Sequence, residues 1–314
     1  MMKNNSIIIL TILILSSCTT FNTTKENNTI SREVLEKKIQ NLKNEYGGII
    51  GVYAKNFFTG ETISVNGDSL FPTASVIKLP ILVELFYRIR NKEINPETYI
   101  LIPDSVKVGG AGVLQFFYGD LYMKIIDVAT LMIILSDNTA TNAIIDLFAL
   151  EHDDKLYAVN SRMEKLGLEN TKLLNKVFSI KTKKNTPEAI RYGLGYSSPS
   201  NMVKLLEMIY KFELIDSLHS AWILKIMKAQ QDDTMIRRLL PYDKLKANER
   251  IEVAHKTGAI SKSRIDVGIV YAPKAEYAIA IFADLSKDES WTLDNKAQNA
   301  VAKASKIIYD YFNR

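Results

Sequence analysis

The stretch FPTASVIKLPILVELFYRI, residues 71–89, governs how the rest of the chain is read. From Leu79 to Ile89 it is almost wholly apolar, as a helix buried in a core would be. Pro72, Thr73 and Ala74 mark its start. Ser75 and Lys78 stand three residues apart, a spacing that puts both side chains on one face of a helix. A serine at a helix start lies beside free backbone N–H groups and the positive end of the dipole, which stabilise an oxyanion. A lysine in a dry cleft near another cation holds its proton weakly and can accept one from the serine. Taken alone, the pattern also fits an ordinary helix, because serine caps helices well and lysine is common within them.

Two further elements lie downstream. Ser136-Asp137-Asn138 follows the apolar run DVATLMIIL (127–135), which reads as a helix ending in a turn. His255-Lys256-Thr257-Gly258 closes IEVAHKTG (251–258), which reads as a strand. The chain thus carries S-x-x-K, S-D-N and K-T-G in order: at a helix start, at a turn after a helix, and on a strand.

The segments between them complete a coarse architecture. Ser31 opens a helical pattern through Val34, Leu35, Ile39, Leu42 and Tyr46, which Gly47-Gly48 ends. GIIGVYAKNF (48–57) and ETISVNG (61–67) read as strands about a Thr59-Gly60 turn. Residues 73–240 are mostly helical, with loops at 103–113 and 175–200. RIDVGIVYAP (264–273) and EYAIAIFADL (276–285) join the 251–258 strand, and a helix runs from about Leu293 to Phe312. The expected fold class is α+β: an antiparallel sheet built from the two ends of the chain, flanked by N- and C-terminal helices, with an inserted all-helical lobe and a cleft between the two.

Composition sets further limits. Of 314 residues, 47% are hydrophobic, enough for a sizeable core. The net charge of +5 comes from scattered lysines, which does not suggest a nucleic-acid groove. No His/Asp/Glu spacing suggests a metal, and with Cys18 the only cysteine, an internal disulfide or a zinc–cysteine site is excluded. No cofactor is called for. The histidines do not support a Ser-His-Asp device: His152 sits in a polar stretch that reads as a solvated loop, His219 reads as a helix or turn residue, and His255 should point away from the cleft.

At the N-terminus, Lys3, an apolar run from Ile7 to Leu15, and small residues before Cys18 make a secretory signal over residues 1–17. Leu15-Ser16-Ser17-Cys18 resembles a bacterial lipobox, which implies cleavage before Cys18 and lipidation of its thiol. Residues 18–30 then read as a polar tether, and 31–314 as one catalytic domain, exported to the periplasm or cell envelope and held at a membrane. A monomer is expected.

The three motifs and their surroundings resemble the class A serine β-lactamase family. FPTASVIKLPIL (71–82), GGAGVLQFF (109–117), LSDNTATN (135–142) and HKTGAISKSRIDVGIV (255–270) all look like its conserved stretches, and the likeness runs from about residue 31 to 314. It implies that Ser75 forms an acyl-enzyme with Lys78 aiding its deprotonation. Ser136 passes a proton to the leaving nitrogen. Asn138 holds the substrate's side-chain amide and braces Lys78. Lys256 and Thr257, in the strand with Gly258, bind the substrate carboxylate, which Arg264 also approaches. The backbone N–H groups of Ser75 and Ala259 form the oxyanion hole. The substrate is a small β-lactam or peptidoglycan-like molecule. The implied function is β-lactam hydrolysis; a D-Ala-D-Ala carboxypeptidase or esterase, or a slowly deacylating β-lactam-binding protein, are the alternatives.

One region departs from the pattern. The family carries Arg-x-Glu-Pro-x-Leu-Asn in an Ω-shaped loop, and its glutamate activates the deacylating water. Here the chain reads TKLLNKVFSIKTKKNTPEAIRYGLGYSSP (171–199), with Val177 near the glutamate's place and lysines at 181, 183 and 184. Glu188 is the only acid in the loop, either a substitute base or a helix-start residue after Pro187.

Overall fold

The computed structural model describes residues 31–179 and 185–314. The signal, lipobox and tether readings (1–30) and the basic run 181–184 lie outside the described residues. The chain divides into Met1–Ile30 and Ser31–Arg314, and the fold is that of the second unit.

Helix α1 (Arg32–Asn41) starts where Ser31 accepts a hydrogen bond from the Val34 N–H. A short α2 (Lys43–Tyr46) ends at Gly47, whose φ of 69° is the left-handed value that stops helices. Strands β1 (Ile49–Asn56) and β2 (Thr62–Val65) form the first hairpin. The short β3 (Phe71–Pro72) leads into a single 3₁₀ turn, Ala74–Ile77, and then α3 (Lys78–Arg90). Strands β4 (Tyr99–Ile102) and β5 (Leu121–Lys124) pair with each other, followed by α4 (Ile125–Ile134), α5 (Asn138–Asp146) and α6 (His152–Lys165). Next come β6 (Lys172–Leu173), α7 (Pro187–Tyr192), β7 (Gly195–Ser197), α8 (Pro199–Tyr210) and α9 (Ser217–Lys228). The chain closes with β8 (Glu252–Ile260), β9 (Ser263–Tyr271), β10 (Glu276–Asp284) and α10 (Lys296–Phe312).

The main sheet is antiparallel in the order β2-β1-β10-β9-β8, so both ends of the chain meet in it. Strands β9 and β10 are buried on both faces, hence their near-continuous apolar character. Alternation along β10 assigns each side chain. Tyr277, Ile279, Ile281 and Ala283 join the core under α1 and α10, while Ala278, Ala280 and Phe282 join the larger core under the helical lobe. Fully burying a side chain such as Phe282 contributes about 1.5–3 kcal/mol, and its truncation to alanine costs about 3–5 kcal/mol. Within the lobe, buried Glu84 accepts from Arg88 Nε (2.7 Å) and Arg162 Nε (2.9 Å), tying α3 to α6.

The inserted lobe is helical but not wholly so. It carries the β4–β5 pair, and β3-β7-β6 form a further small sheet. Strands of two to four residues are too short to show a period in sequence. The α6 helix begins at His152, in a stretch whose polarity suggested a loop.

Candidate active site

The turn that carries Ser75 is held by what lies against it. A Cβ built on Gly258 of β8 would fall 2.7 Å from the Thr73 carbonyl oxygen and 3.1 Å from the backbone nitrogens of Ser75 and Val76. Only glycine lets the strand approach so closely. This contact sets the Ser75 amide beside the β8 residue that precedes Ala259, the placement an oxyanion hole needs. Ser75 is half-buried, while Ala74, Val76, Ile77 and Lys78 around it are buried. Ala74 has a φ of 45° and Ser136 one of 55°, left-handed values that cost non-glycine residues about 1–3 kcal/mol and recur at functional sites.

The α4–α5 joint brings the second motif to Lys78. Asp137 caps α5 through Ala140 N–H (2.8 Å), and its other oxygen accepts from the Val113 (2.7 Å) and Leu114 (2.8 Å) N–H groups. The loop 109–114 is thereby fastened beneath the site. Asn138 donates from Nδ2 to the Gly109 carbonyl (2.9 Å), which turns its Oδ1 toward Lys78.

Lys78 Nζ lies 2.6 Å from the Ser136 carbonyl oxygen, 2.9 Å from Asn138 Oδ1 and 3.2 Å from Ser136 Oγ. Lys256 Nζ lies 3.0 Å from the same Oγ and 2.8 Å from the Thr257 carbonyl. The Ser136 hydroxyl therefore stands between two amines, both fully buried. Burial pushes Lys78 well below the usual lysine range, the Lys256 charge pushes it further, and Asp137 opposes. Burial also pulls Lys256 down to about 8, against the carboxylates of Asp232 and Asp266. A neutral Lys78 has two N–H bonds and one lone pair. The Ser136 carbonyl and Asn138 Oδ1 can accept both N–H bonds, which frees the lone pair for a hydroxyl proton.

Thr257 is buried beside Lys256 on β8. Arg264 is placed differently from the expected carboxylate contact. It is 2% exposed, its NH1 donates to the Ile260 (2.6 Å) and Ser263 (2.9 Å) carbonyls, and its NH2 donates to Ser290 (2.6 Å). Its guanidinium also lies 4.7 Å from the Trp291 ring centre. Arg264 thus braces the β8–β9 turn and the segment after β10. His255 is buried with Nδ1 3.0 Å from Asp266 Oδ1, whose other oxygen accepts from Ile236 N–H.

Glu188 is exposed in the first turn of α7, where Thr186 Oγ1 caps Ala189. This is the helix-start placement rather than that of a base in the cleft. Val177, near the place where the resemblance puts the glutamate, is buried in the loop. Asn142 of α5 clasps its backbone at both groups, Val177 N to Asn142 Oδ1 and Asn142 Nδ2 to Val177 O, each 2.9 Å. The clasp escaped the sequence reading; its one signal was a second asparagine on a buried helix. Among the described residues, no group of three or more metal-ligating side chains forms, and no helix is long and apolar enough to cross a membrane.

The profile of the beta-lactamase enzyme family matches residues 33–312. The chain belongs to that family. A β-lactamase of Sphaerobacter thermophilus shares its fold with a TM-score of 0.77 at 23% identity, over 90% of this chain and 98% of that one. PBP-A, solved as a mutant in an acyl-enzyme complex with penicillin G, gives a TM-score of 0.73 at 26% identity, over 89% and 96%. The β-lactamase regulatory protein BlaB of Streptomyces cacaoi is 28% identical over 120 residues, and the chain spans only 38% of its length. The fold is thus that of the serine β-lactamases, and the chain is a hydrolase of that family.

Proposed function

We propose that this family member opens β-lactam amides by forming an acyl-enzyme at Ser75, and that release of the acyl group limits its turnover. The Ser136 hydroxyl between Lys78 and Lys256 carries this reading. Lys78, in the neutral form that burial favours, takes the Ser75 proton as Oγ attacks the ring carbonyl. The Ser75 and Ala259 N–H groups meet the oxyanion. Ser136 delivers a proton to the ring nitrogen as the C–N bond breaks. Lys256 directs a remaining N–H to the substrate carboxylate, and Asn138 and Thr257 help orient the substrate.

Deacylation is the weak step, because Val177 supplies no base at the clasped loop position. The same feature favours a second reading, a peptidoglycan D-Ala-D-Ala carboxypeptidase or esterase with identical acylation chemistry; likeness to PBP-A supports it. Ser75→Ala is expected to abolish labelling by penicillin while leaving the melting temperature within a few degrees. Labelling that survives would remove Ser75 from the reaction.

We also propose that the protein is exported, lipidated at Cys18 and tethered through residues 19–30, and that it works as a monomer. Labelling with radioactive palmitate that is lost in Cys18→Ala supports the anchor; labelling that persists refutes it.

A further inference from the structure

Phe178 has no role in the machinery above, yet it is held in a costly way. Its φ of 48° is left-handed, a conformation that costs a bulky residue about 1–2 kcal/mol and that glycine would adopt freely. Phe178 is 71% exposed, so the cost is not recovered by burial in the core. The preceding residue is buried and clasped by Asn142, which fixes where the ring can project. A Cβ built on Gly110 would lie 2.9 Å from Phe178 Cε2 and 2.8 Å from Asn138 Nδ2. The ring and the Asn138 amide therefore flank the same glycine, which also has a left-handed φ of 88°. Asn138 in turn accepts from Lys78, one turn after the nucleophile. An exposed apolar ring, strained and displayed beside the site, is placed to be covered by a ligand.

We propose that Phe178 is a specificity-determining residue, the apolar wall that receives the acyl side chain of the substrate and favours acyl donors bearing an aromatic or bulky apolar group. The inference rests on the acyl-transfer reading given above. Substrate anchored at Ser75, with its side-chain amide on Asn138, extends its substituent toward the ring across Gly110. Contact between two aromatic groups, with the area it removes from water, is worth roughly a factor of ten.

The test compares benzylpenicillin with 6-aminopenicillanic acid, which has the same ring system without the acyl side chain. Second-order acylation rates are measured by intact mass for the full chain and for Phe178→Ala, Phe178→Gly and Phe178→Tyr. The preference for benzylpenicillin is expected to fall about tenfold in the alanine and glycine variants and to survive in the tyrosine variant. Phe178→Gly should also melt higher than Phe178→Ala, because it relieves the left-handed strain. This separates loss of the ring from loss of fold. A preference that stays constant in all variants overturns the proposal, as does one lost equally in the tyrosine variant. If the unsubstituted protein is acylated by neither compound, the acyl-transfer reading itself fails, and this inference fails with it.

Discussion

Two regions of the cleft share a scaffold and differ in chemistry. On one side Lys78, Ser136 and Lys256 form a buried network in which each heavy atom lies within 3.2 Å of the next. On the other, Asn142 grips the loop at Val177 with two 2.9 Å hydrogen bonds but presents no titratable group there. Burial lowers the pKa of both lysines in the first region; the second presents only an apolar side chain and an exposed ring. The clasp is made to the backbone, so it holds the loop whichever side chain stands at position 177. On the proposed mechanism, acylation and release therefore rest on different sides of the cleft.

The largest expected break is Ser75→Ala, which should lower penicillin acylation below detection. Next, Val177→Glu would restore an acid to the deficient side. General bases contribute about 10²–10⁴-fold, so the acyl adduct should clear at least 10²-fold faster, read by mass spectrometry against time. An unchanged adduct lifetime would mean that the missing acid does not limit release. On the acylating side, Lys256→Ala should slow acylation by about ten- to a hundredfold, chiefly through weaker binding of carboxylate-bearing substrates; unchanged kinetics would take Lys256 out of the site.

Protonation sharpens the same contrast. Lys256, drawn down to about 8, loses its charge as pH rises through that value, so acylation should fall on an alkaline limb near pH 8. The stability consequence has the opposite sign. Between about 8 and the ordinary lysine value the unfolded chain binds the extra proton, so the native state gains stability from this group as pH rises. A flat acylation profile to pH 10 would refute the assignment. The smallest effect should come from Asn142→Ala. Loss of two hydrogen bonds destabilises by about 1–3 kcal/mol, measured by denaturant unfolding, with acylation changed only a few-fold.

The sequence made some of this legible and not the rest. Ser75 and Lys78 sit within one helical turn, and Ser136 to Asn138 are consecutive, so each shows as a local motif, and their order with Lys256-Thr257-Gly258 exposed them together. The strands 252–260, 263–271 and 276–284 were visible because each is a nine-residue, largely apolar run bounded by short turns. The clasp joins Asn142 to Val177 across 35 residues, and no local pattern encodes such a contact. Arg264 shows the same limit from the other direction. An arginine on a strand next to the third motif suggested a substrate contact, yet three main-chain carbonyls from two segments take its donors. Phe178 could be read as an apolar loop residue, but not as one held at positive φ beside Gly110.

The separation of acylation from release is tested most directly by intact mass against time after the full chain is mixed with benzylpenicillin. The predicted result is one adduct per chain, equal to the whole penicillin since ring opening loses no atoms, absent in Ser75→Ala and persisting far longer than it takes to form. No adduct, or one that clears as fast as it forms while drug is consumed, would contradict it.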